Sequence, residues 1–329
     1  MPSTPHNKSN QPLLLTAGIA GAALAGLWLK RRAAHKQHTF IHPQLTEPRG
    51  RVLITGASSG IGSEFAHQLA ALGYDLIIVA RRENRLQELA AELTRNHPVQ
   101  VTPFPADLTD DRQLAELEAF IGAQPPLTLL INGAGFGTRG LLAQVDIDKQ
   151  VEMTSLHVFA PLRLTKAVLP GMLSQRFGGI INISSIAAYV PMPENVSYSA
   201  TKAYLKIFSE ALQMELDGTG VVVQALCPGF FYSGFHDTEE YQNYRREVYP
   251  KFMWKTAAEV ASVSLQRLGN GEAVVIPGLQ YKGITMLAAN TLTRPIVKGF
   301  IQHLYRTRRR TQAPAVVAEP PGSLRQNQV

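Results

Sequence analysis

Two stretches of the chain hold residues whose types and spacing can do chemistry. In Tyr198-Ser-Ala-Thr-Lys202 a phenol and an amine stand four residues apart and share one face if the stretch is helical. An ammonium beside a phenol favours the phenolate and lowers a pKa that starts at about 10. That predicts Tyr198 as a general acid/base usable near neutral pH. Ser185 lies thirteen residues earlier, at the end of Gly-Ile-Ile-Asn-Ile-Ser-Ser, where its hydroxyl can hold a carbonyl oxygen. Such a Tyr-Lys pair also arises by chance on surface helices.

The second stretch is Thr55-Gly56-Ala57-Ser58-Ser59-Gly60-Ile61-Gly62, between an apolar run at 51–55 and a helical run at 65–72. Glycines there permit a tight turn and let the backbone approach a pyrophosphate, whose charge a helix N-terminus favours. An acidic residue closing the second strand would bond the ribose 2′-hydroxyl of NAD. The chain has Arg81 and Arg82 instead, which attract a 2′-phosphate. NADP(H) is therefore the expected cofactor; the alternative is two solvated arginines at a helix entry. Asp107 is placed to accept from an adenine amino group. Asn132-Gly133-Ala134-Gly135 offers a second close-approach turn. Either feature alone is also an ordinary turn.

The elements that must position these residues alternate. Apolar runs at 51–55, 74–80, 99–103, 127–131, 179–184, 221–226 and 273–276 predict seven strands, with little polar alternation, as in strands buried on both faces. Helical spacing between them, for example Leu86, Leu89, Ala90 and Leu93, implies right-handed crossovers. The expected fold is α/β: one doubly wound, mostly parallel seven-stranded domain over residues 51–278. Ligands bind such sheets at the carboxyl ends of the strands, where the motifs above fall.

The chain has 329 residues, 45% of them apolar and 17% charged, which excludes global disorder. Its single cysteine, Cys227, excludes an intramolecular disulfide and a cysteine-built zinc site, and no metal is expected. The net charge of +7 divides unevenly: residues 1–50 carry +5, residues 282–329 carry +7 and the body, 51–281, carries −5. A nucleic-acid partner is not expected from such a body; basic ends beside apolar segments suggest an anionic membrane surface.

After a polar start (1–12), residues 13–29 are uncharged and as a helix span about 25 Å, near the lower limit for crossing a bilayer. The basic linker 30–50 begins with Lys30, Arg31 and Arg32, which places the remainder of the chain on the cytoplasmic side of a single-pass anchor. An uncleaved amphipathic or buried helix and a signal peptide are the alternatives. Residues 279–310 mix apolar and basic side chains and read as an interfacial amphipathic stretch broken at Pro295, or as a surface helix packed on the body. The tail, 311–329, is expected to be disordered.

With these residues in place, the chain resembles the short-chain dehydrogenase/reductase superfamily over about 51–278. TGASSGIG, Asn132–Gly135, Ser185, Tyr198, Lys202 and Pro228-Gly229 occur in that family's order. The resemblance implies that Tyr198 gives or takes the proton, Lys202 also holds the nicotinamide ribose and Ser185 orients the substrate oxygen. It further implies that Gly56, Ser58, Ser59, Gly60, Ile61, Gly62, Asn132, Ala134 and Gly135 line the cofactor, with Pro228, Gly229 and Ser233 beside the nicotinamide. Phe230 and Phe231 would meet the substrate. Helices 147–173 and 195–217 resemble those that form homodimers in the family.

His157 stands where the family has a catalytic Asn. An imidazole can carry protons near neutral pH and so serve the same relay; it can also crowd Lys202 and impair it. Nine of the chain's 25 aromatic residues fall within 230–254, which points to an apolar substrate or a membrane-facing mouth, or else to rings that simply pack the region. The combined expectation is a membrane-anchored NADP(H)-dependent carbonyl reductase or alcohol dehydrogenase for a lipophilic ketone or alcohol, such as a steroid, retinoid or 3-ketoacyl lipid. The rival is a catalytically impaired dinucleotide-binding protein.

Overall fold

A computed structural model describes residues 50–232 and 250–312. The expected segments 1–12, 13–29 and most of 30–50, together with Ser233 and residues 313–329, lie outside the described residues. Among the described residues no helix is long and apolar enough to cross a membrane.

Seven strands make one parallel sheet. They are β1 (Arg51–Thr55), β2 (Asp75–Ala80), β3 (Val101–Pro105), β4 (Leu129–Asn132), β5 (Gly178–Ile183), β6 (Val221–Leu226) and β9 (Val274–Val275). Their order across the sheet is β3-β2-β1-β4-β5-β6-β9. The β1–β4 neighbours are non-consecutive, with Thr55 opposite Asn132, so the chain order reverses there and opens a crevice at the carboxyl edge. Six of the expected strands are buried as anticipated. The exception is β3, which carries Pro103 and Pro105, lies at the sheet edge and is largely half-exposed. Proline cannot donate to a ladder, so an edge is where such a strand fits.

Helices cover both faces: α1 (Gly60–Ala71), α2 (Glu83–Asn96) and α7 (Ala257–Leu268) on one, and α3 (Asp111–Gly122), α5 (Ala160–Gln175) and α6 (Val196–Glu215) on the other. Alternation along β1 sets the two cores. Val52 and Ile54 pack with Phe65, Leu69 and Leu86, while Leu53 packs with Leu117, Leu164 and Leu212. Helix α4 (Ile147–Thr154) precedes α5. A short parallel pair, β7 (Phe231–Tyr232) with β8 (Lys255–Thr256), lies outside the sheet. Thr256 and Glu259 form a reciprocal capping box that starts α7.

The chain ends in α8 (Leu279–Ala289) and α9 (Arg294–Gln312). Pro295 was expected to break this stretch. It lies instead in the first turn of α9, where its missing N–H costs no hydrogen bond, and the break falls at residues 290–293.

One polar pair is sealed inside the first core. Gln224 of β6 and Ser264 of α7 are fully buried, Gln224 Nε2 donating to the Ser264 carbonyl and Ser264 Oγ to Gln224 Oε1. Ser264→Ala strands that amide oxygen and is expected to lower the unfolding free energy by about 1–3 kcal/mol. Adding Gln224→Met should recover part of the loss in chemical denaturation; an unchanged midpoint for the single variant would refute this account.

Candidate active site

The crevice at the β1–β4 junction brings the glycine motif together with the turn after β4. Thr55 Oγ1 accepts from Gly133 N (3.0 Å) and Ala134 N (3.1 Å), locking that turn onto the end of β1. Gly56 has φ +71, and a Cβ on it would lie 2.7 Å from the Gly133 backbone; one on Gly62 would collide with the Gly56 carbonyl oxygen. Both positions therefore require glycine for conformation or contact. Below them a buried amide column runs into α6: Asn132 Nδ2 donates to Asn182 Oδ1 (2.8 Å) and Asn182 Nδ2 to Ser209 Oγ (2.9 Å). Asn132 Oδ1 is buried without a partner.

Ser59 caps α1 in an extended conformation, yet its side chain makes no cap hydrogen bond, so the first-turn N–H groups are not satisfied by it. Its hydroxyl serves another contact. Arg82 Nη2 donates to Ser58 Oγ and Ser59 Oγ, each at 2.9 Å. Burial, and next the neighbouring Arg85 and Arg81 charges, push the Arg82 pKa down. Arg81 does not join the corner. Its Nη1 pairs with Glu152 (3.3 Å) and Asp107 (3.7 Å), so of the two arginines only Arg82 sits on the glycine loop. Asp107 Oδ1 accepts from the Thr109 N–H and hydroxyl.

Fifteen residues beyond Asn182, Ser197 and Tyr198 sit in the first turn of α6, and the expected i, i+4 pairing places Lys202 on the same side. Ser185 ends β5 and caps a short 3-10 turn, its Oγ accepting from Ala187 N at 3.1 Å. Tyr198 hydrogen-bonds with Ser185. Lys202 is buried with Nζ donating to the Ile183 carbonyl (2.9 Å), 5.6 Å from the centre of the Tyr198 ring. Pro228 closes the far side, its carbonyl accepting from Ile186 N at 3.0 Å. Gly229 lies against Tyr281, whose ring leaves no room for a Cβ there.

The electrostatics correct one expectation. Burial pushes the Tyr198 phenol up to about 12, only partly opposed by the bond with Ser185, and pushes the Lys202 amine down to about 7. Lys202 spends its hydrogen bond on Ile183 rather than on the phenol, so loss of water outweighs the attraction that was to lower the Tyr198 pKa.

His157 lies against the same helix. It is 1% exposed and sits in a π turn, Ser155–Phe159, between α4 and α5. Pro161 explains the turn: it has no N–H for the His157 carbonyl four residues back, and the ring would clash with that carbonyl in an α-helix. Ala160 N instead reaches the Ser155 oxygen, five residues back. The imidazole then faces α6, with Nδ1 3.0 Å from Thr201 Oγ1. The Thr201 hydroxyl proton goes to the Tyr198 carbonyl (2.9 Å), so His157 carries its proton on Nδ1 and donates it. Nε2 is left as a buried acceptor without a partner, facing Gly135 at 2.5 Å from where a Cβ would be. Burial, and next the Lys202 charge, hold the imidazole well below its usual pKa, so it stays neutral, with one donor and one acceptor nitrogen.

The rim is aromatic. Trp254 stacks on Phe230 (5.4 Å between ring centres) and on Tyr232 (5.1 Å), while Phe231 lies half-buried beside them. The Tyr281 hydroxyl accepts from Phe230 N (2.9 Å) and donates to the Met253 carbonyl. Sequence reasoning missed Thr201, Pro161 and Tyr281. Thr201 lies inside the Tyr198–Lys202 motif and Pro161 interrupts a helical run, so both left a signal. Tyr281 left none, being 51 residues from the backbone it holds.

Comparison with known proteins agrees with this geometry. Residues 50–243 match the family model described as short chain dehydrogenase. The very-long-chain 3-oxoacyl-CoA reductase of Coprinopsis cinerea is 35% identical over 177 residues, 52% of each chain. The chain spans about half the length of the curated relatives it matches. Among solved structures, a short-chain dehydrogenase from Sphingobium yanoikuyae in complex with NADPH is 31% identical, with TM-score 0.65 over 82% of this chain and 99% of that one. The bulky-bulky ketone specific alcohol dehydrogenase of Comamonas testosteroni is 30% identical, with TM-score 0.63 over 81% and 96%.

His157 gives a pH prediction. Its folded pKa lies well below 6.5, so below about pH 6.5 the unfolded chain takes up a proton that the folded chain refuses. The stability it contributes is full above that pH and falls below it by about 1.4 kcal/mol per unit at most. His157→Asn should flatten the acid side of a stability-against-pH curve measured by denaturant unfolding between about pH 5 and 8. Equal slopes for the two proteins would sink this assignment.

Proposed function

The chain belongs to the short-chain dehydrogenase family, and from that premise we propose that it is an NADPH-dependent reductase of a lipophilic carbonyl compound, such as a steroid, retinoid or 3-ketoacyl lipid. The observation that carries the reading is Tyr198 hydrogen-bonded with Ser185 above the buried amine of Lys202, at the carboxyl edge of the sheet.

The residues fit the cofactor. Gly56, at φ +71, and Gly62 hold the turn at the head of α1 tightly against the Gly133–Ala134 turn, and the orphaned Asn132 oxygen lies at the end of β4, where that turn begins. Arg82 with Ser58 and Ser59 supplies one charge and hydroxyl donors, the set a phosphate monoester needs, and this supports NADPH over NADH. When bound, the cofactor supplies a hydride to the carbonyl carbon.

The chain's own groups do the rest. Ser185 holds the substrate oxygen. Tyr198, whose phenol remains protonated at neutral pH, gives that oxygen its proton, the state a reduction requires. Lys202, at about 7, exchanges protons near neutral pH and holds positive charge beneath the phenol once an anionic cofactor is present. His157, kept neutral, adds no second cation against that amine and steadies α6 through Thr201. The Phe230, Tyr232 and Trp254 rings favour an apolar substrate at the rim. The names of the Coprinopsis and Comamonas proteins support a large or lipid-derived carbonyl. The same reading includes an anchor at residues 13–29, with the catalytic domain on the cytoplasmic side, and a homodimer through α5 and α6, where Leu162, Ile207 and Met214 are exposed.

NADPH oxidation against steroid, retinal and 3-ketoacyl carbonyls tests the reading. Tyr198→Phe should lower kcat by about 10²–10⁴-fold with little effect on NADPH binding. Turnover that survives Tyr198→Phe would point to the non-catalytic, dinucleotide-binding alternative.

Cofactor choice has its own test. Arg82→Ala should weaken NADPH binding by about 10–100-fold, the loss of one charge-assisted contact of about 1.5–3 kcal/mol, while leaving NADH binding nearly unchanged in a fluorescence titration. Equal losses for both dinucleotides would show that Arg82 does not read the 2′-phosphate.

A further inference from the structure

The last two helices have a surface that the reductase reading does not use. From residue 279 to 312 the chain carries seven Lys and Arg residues and no Asp or Glu, whereas residues 51–281 are net negative. Helix α8 seats itself on the body through Tyr281, Thr285 and Ala288, all buried, and leaves Met286 75% exposed. Helix α9 leans on α8. Val297, Ile301 and Tyr305, four residues apart, are half-buried. A second apolar row, Ile296, Phe300 and Leu304, is also spaced by four, and it is 72%, 62% and 47% exposed. Leu292, at the corner between the helices, is 84% exposed and continues that row. Arg294, Lys298 and Arg306 follow the same spacing on the remaining side of α9 and are exposed.

We propose that α8 and α9 form a docking surface for an anionic lipid bilayer, with Leu292, Ile296, Phe300 and Leu304 entering the headgroup–acyl boundary and the basic row meeting lipid phosphates. A helix with an apolar row, a basic row and no acidic residue matches the chemistry of that interface. Charge selects this occupant over the others. A second copy would bring its own seven cations against these seven, and like charges at a twofold interface repel. A polynucleotide would meet the basic row and leave the apolar one in water. The negative body and positive helices also give a dipolar chain that an anionic surface orients, drawing α9 in first.

The docking surface is continuous with the rim of the candidate site. Gln280 Nε2 donates to the Phe252 carbonyl (3.2 Å), tying the start of α8 to the segment that carries the exposed Phe252. Tyr281, next in α8, holds the backbone of both Phe230 and Met253. A docked α8–α9 therefore turns the aromatic rim toward the bilayer, from which an apolar substrate would come. This last step rests on the proposed reductase activity; the docking does not.

The test uses the full-length protein with an environment-sensitive dye on Leu304→Cys, the buried Cys227 being left in place. Because the dye reports α9 alone, insertion of residues 13–29 does not mimic the signal. Vesicles containing about a third phosphatidylserine should brighten and blue-shift the dye, and brominated lipid should quench it. Pure phosphatidylcholine should bind at least about tenfold more weakly. About 1 M salt, which shortens the Debye length to about 3 Å, should remove most of the difference. The same dye on Gln302→Cys, in the basic row, should report a clearly more polar setting than at 304, and Arg294→Gln with Lys298→Gln and Arg306→Gln should abolish the preference for anionic lipid. No response at position 304 overturns the proposal, as does an equal response at 302. A response that grows with protein concentration in the absence of vesicles assigns the face to a second copy and overturns it too. Since no turnover is measured, these outcomes are separate from the fate of the reductase reading.

Discussion

The buried amine of Lys202 is the constraint around which the site is arranged. An ammonium in a low-dielectric setting needs a partner, and the end of β5 supplies one in the Ile183 carbonyl. That bond ties α6 to the sheet, and the Ser184 hydroxyl reinforces it by donating to the Lys202 carbonyl at 2.7 Å. Tyr198, one turn earlier on α6, is thereby fixed over Ser185. The amine also dictates what its neighbours can be. A protonated imidazole at position 157 would add a second buried cation, and the structure keeps His157 neutral through burial and a tautomer set by Thr201. Loss of water shifts the amine and the phenol in opposite directions, which leaves a protonated phenol and a readily exchanged lysine proton at neutral pH.

The cofactor edge depends on backbone proximity. The ends of β1 and β4 are packed so closely that glycine is required at position 56, and Thr55 supplies the acceptor that two successive N–H groups of the second turn would otherwise lack. The Ser59 side chain makes no cap hydrogen bond to α1, and its hydroxyl accepts from Arg82. The helix terminus and Arg82 thus stand together on the glycine loop, a cation beside N–H donors. Pro161 plays a comparable part on the other side. By denying His157 its α-helical acceptor bond, it widens one turn and brings the imidazole between α6 and Gly135.

Much of this was legible in the chain. Unbroken apolar runs gave six buried strands, because a strand covered on both faces shows no polar alternation; β3 escaped that rule because its two prolines and half-exposed residues belong to an edge. The glycine motif and the Tyr198–Lys202 pair could be placed from spacing, since both act within a single turn of chain. Distances between elements could not. Arg81 and Arg82 are equivalent in sequence, yet one faces Glu152 across 71 residues and the other faces the glycine loop. Pro295 read as a helix breaker, but the same fixed φ starts α9 when the preceding residues have already left the helix.

By itself the sequence determined the α/β class, the order of the strands along the chain, the glycine turn and which phenol, amine and hydroxyl stand at the candidate site. These depend on local periodicity and on the spacing of residue types along the chain. The tertiary structure alone decided the protonation of Tyr198, Lys202 and His157, the choice of Arg82 over Arg81 and the clamp that Tyr281 places on Phe230 and Met253. Each of those depends on how much water a group has lost and which distant residue has replaced it, and both quantities exist only once the chain has packed.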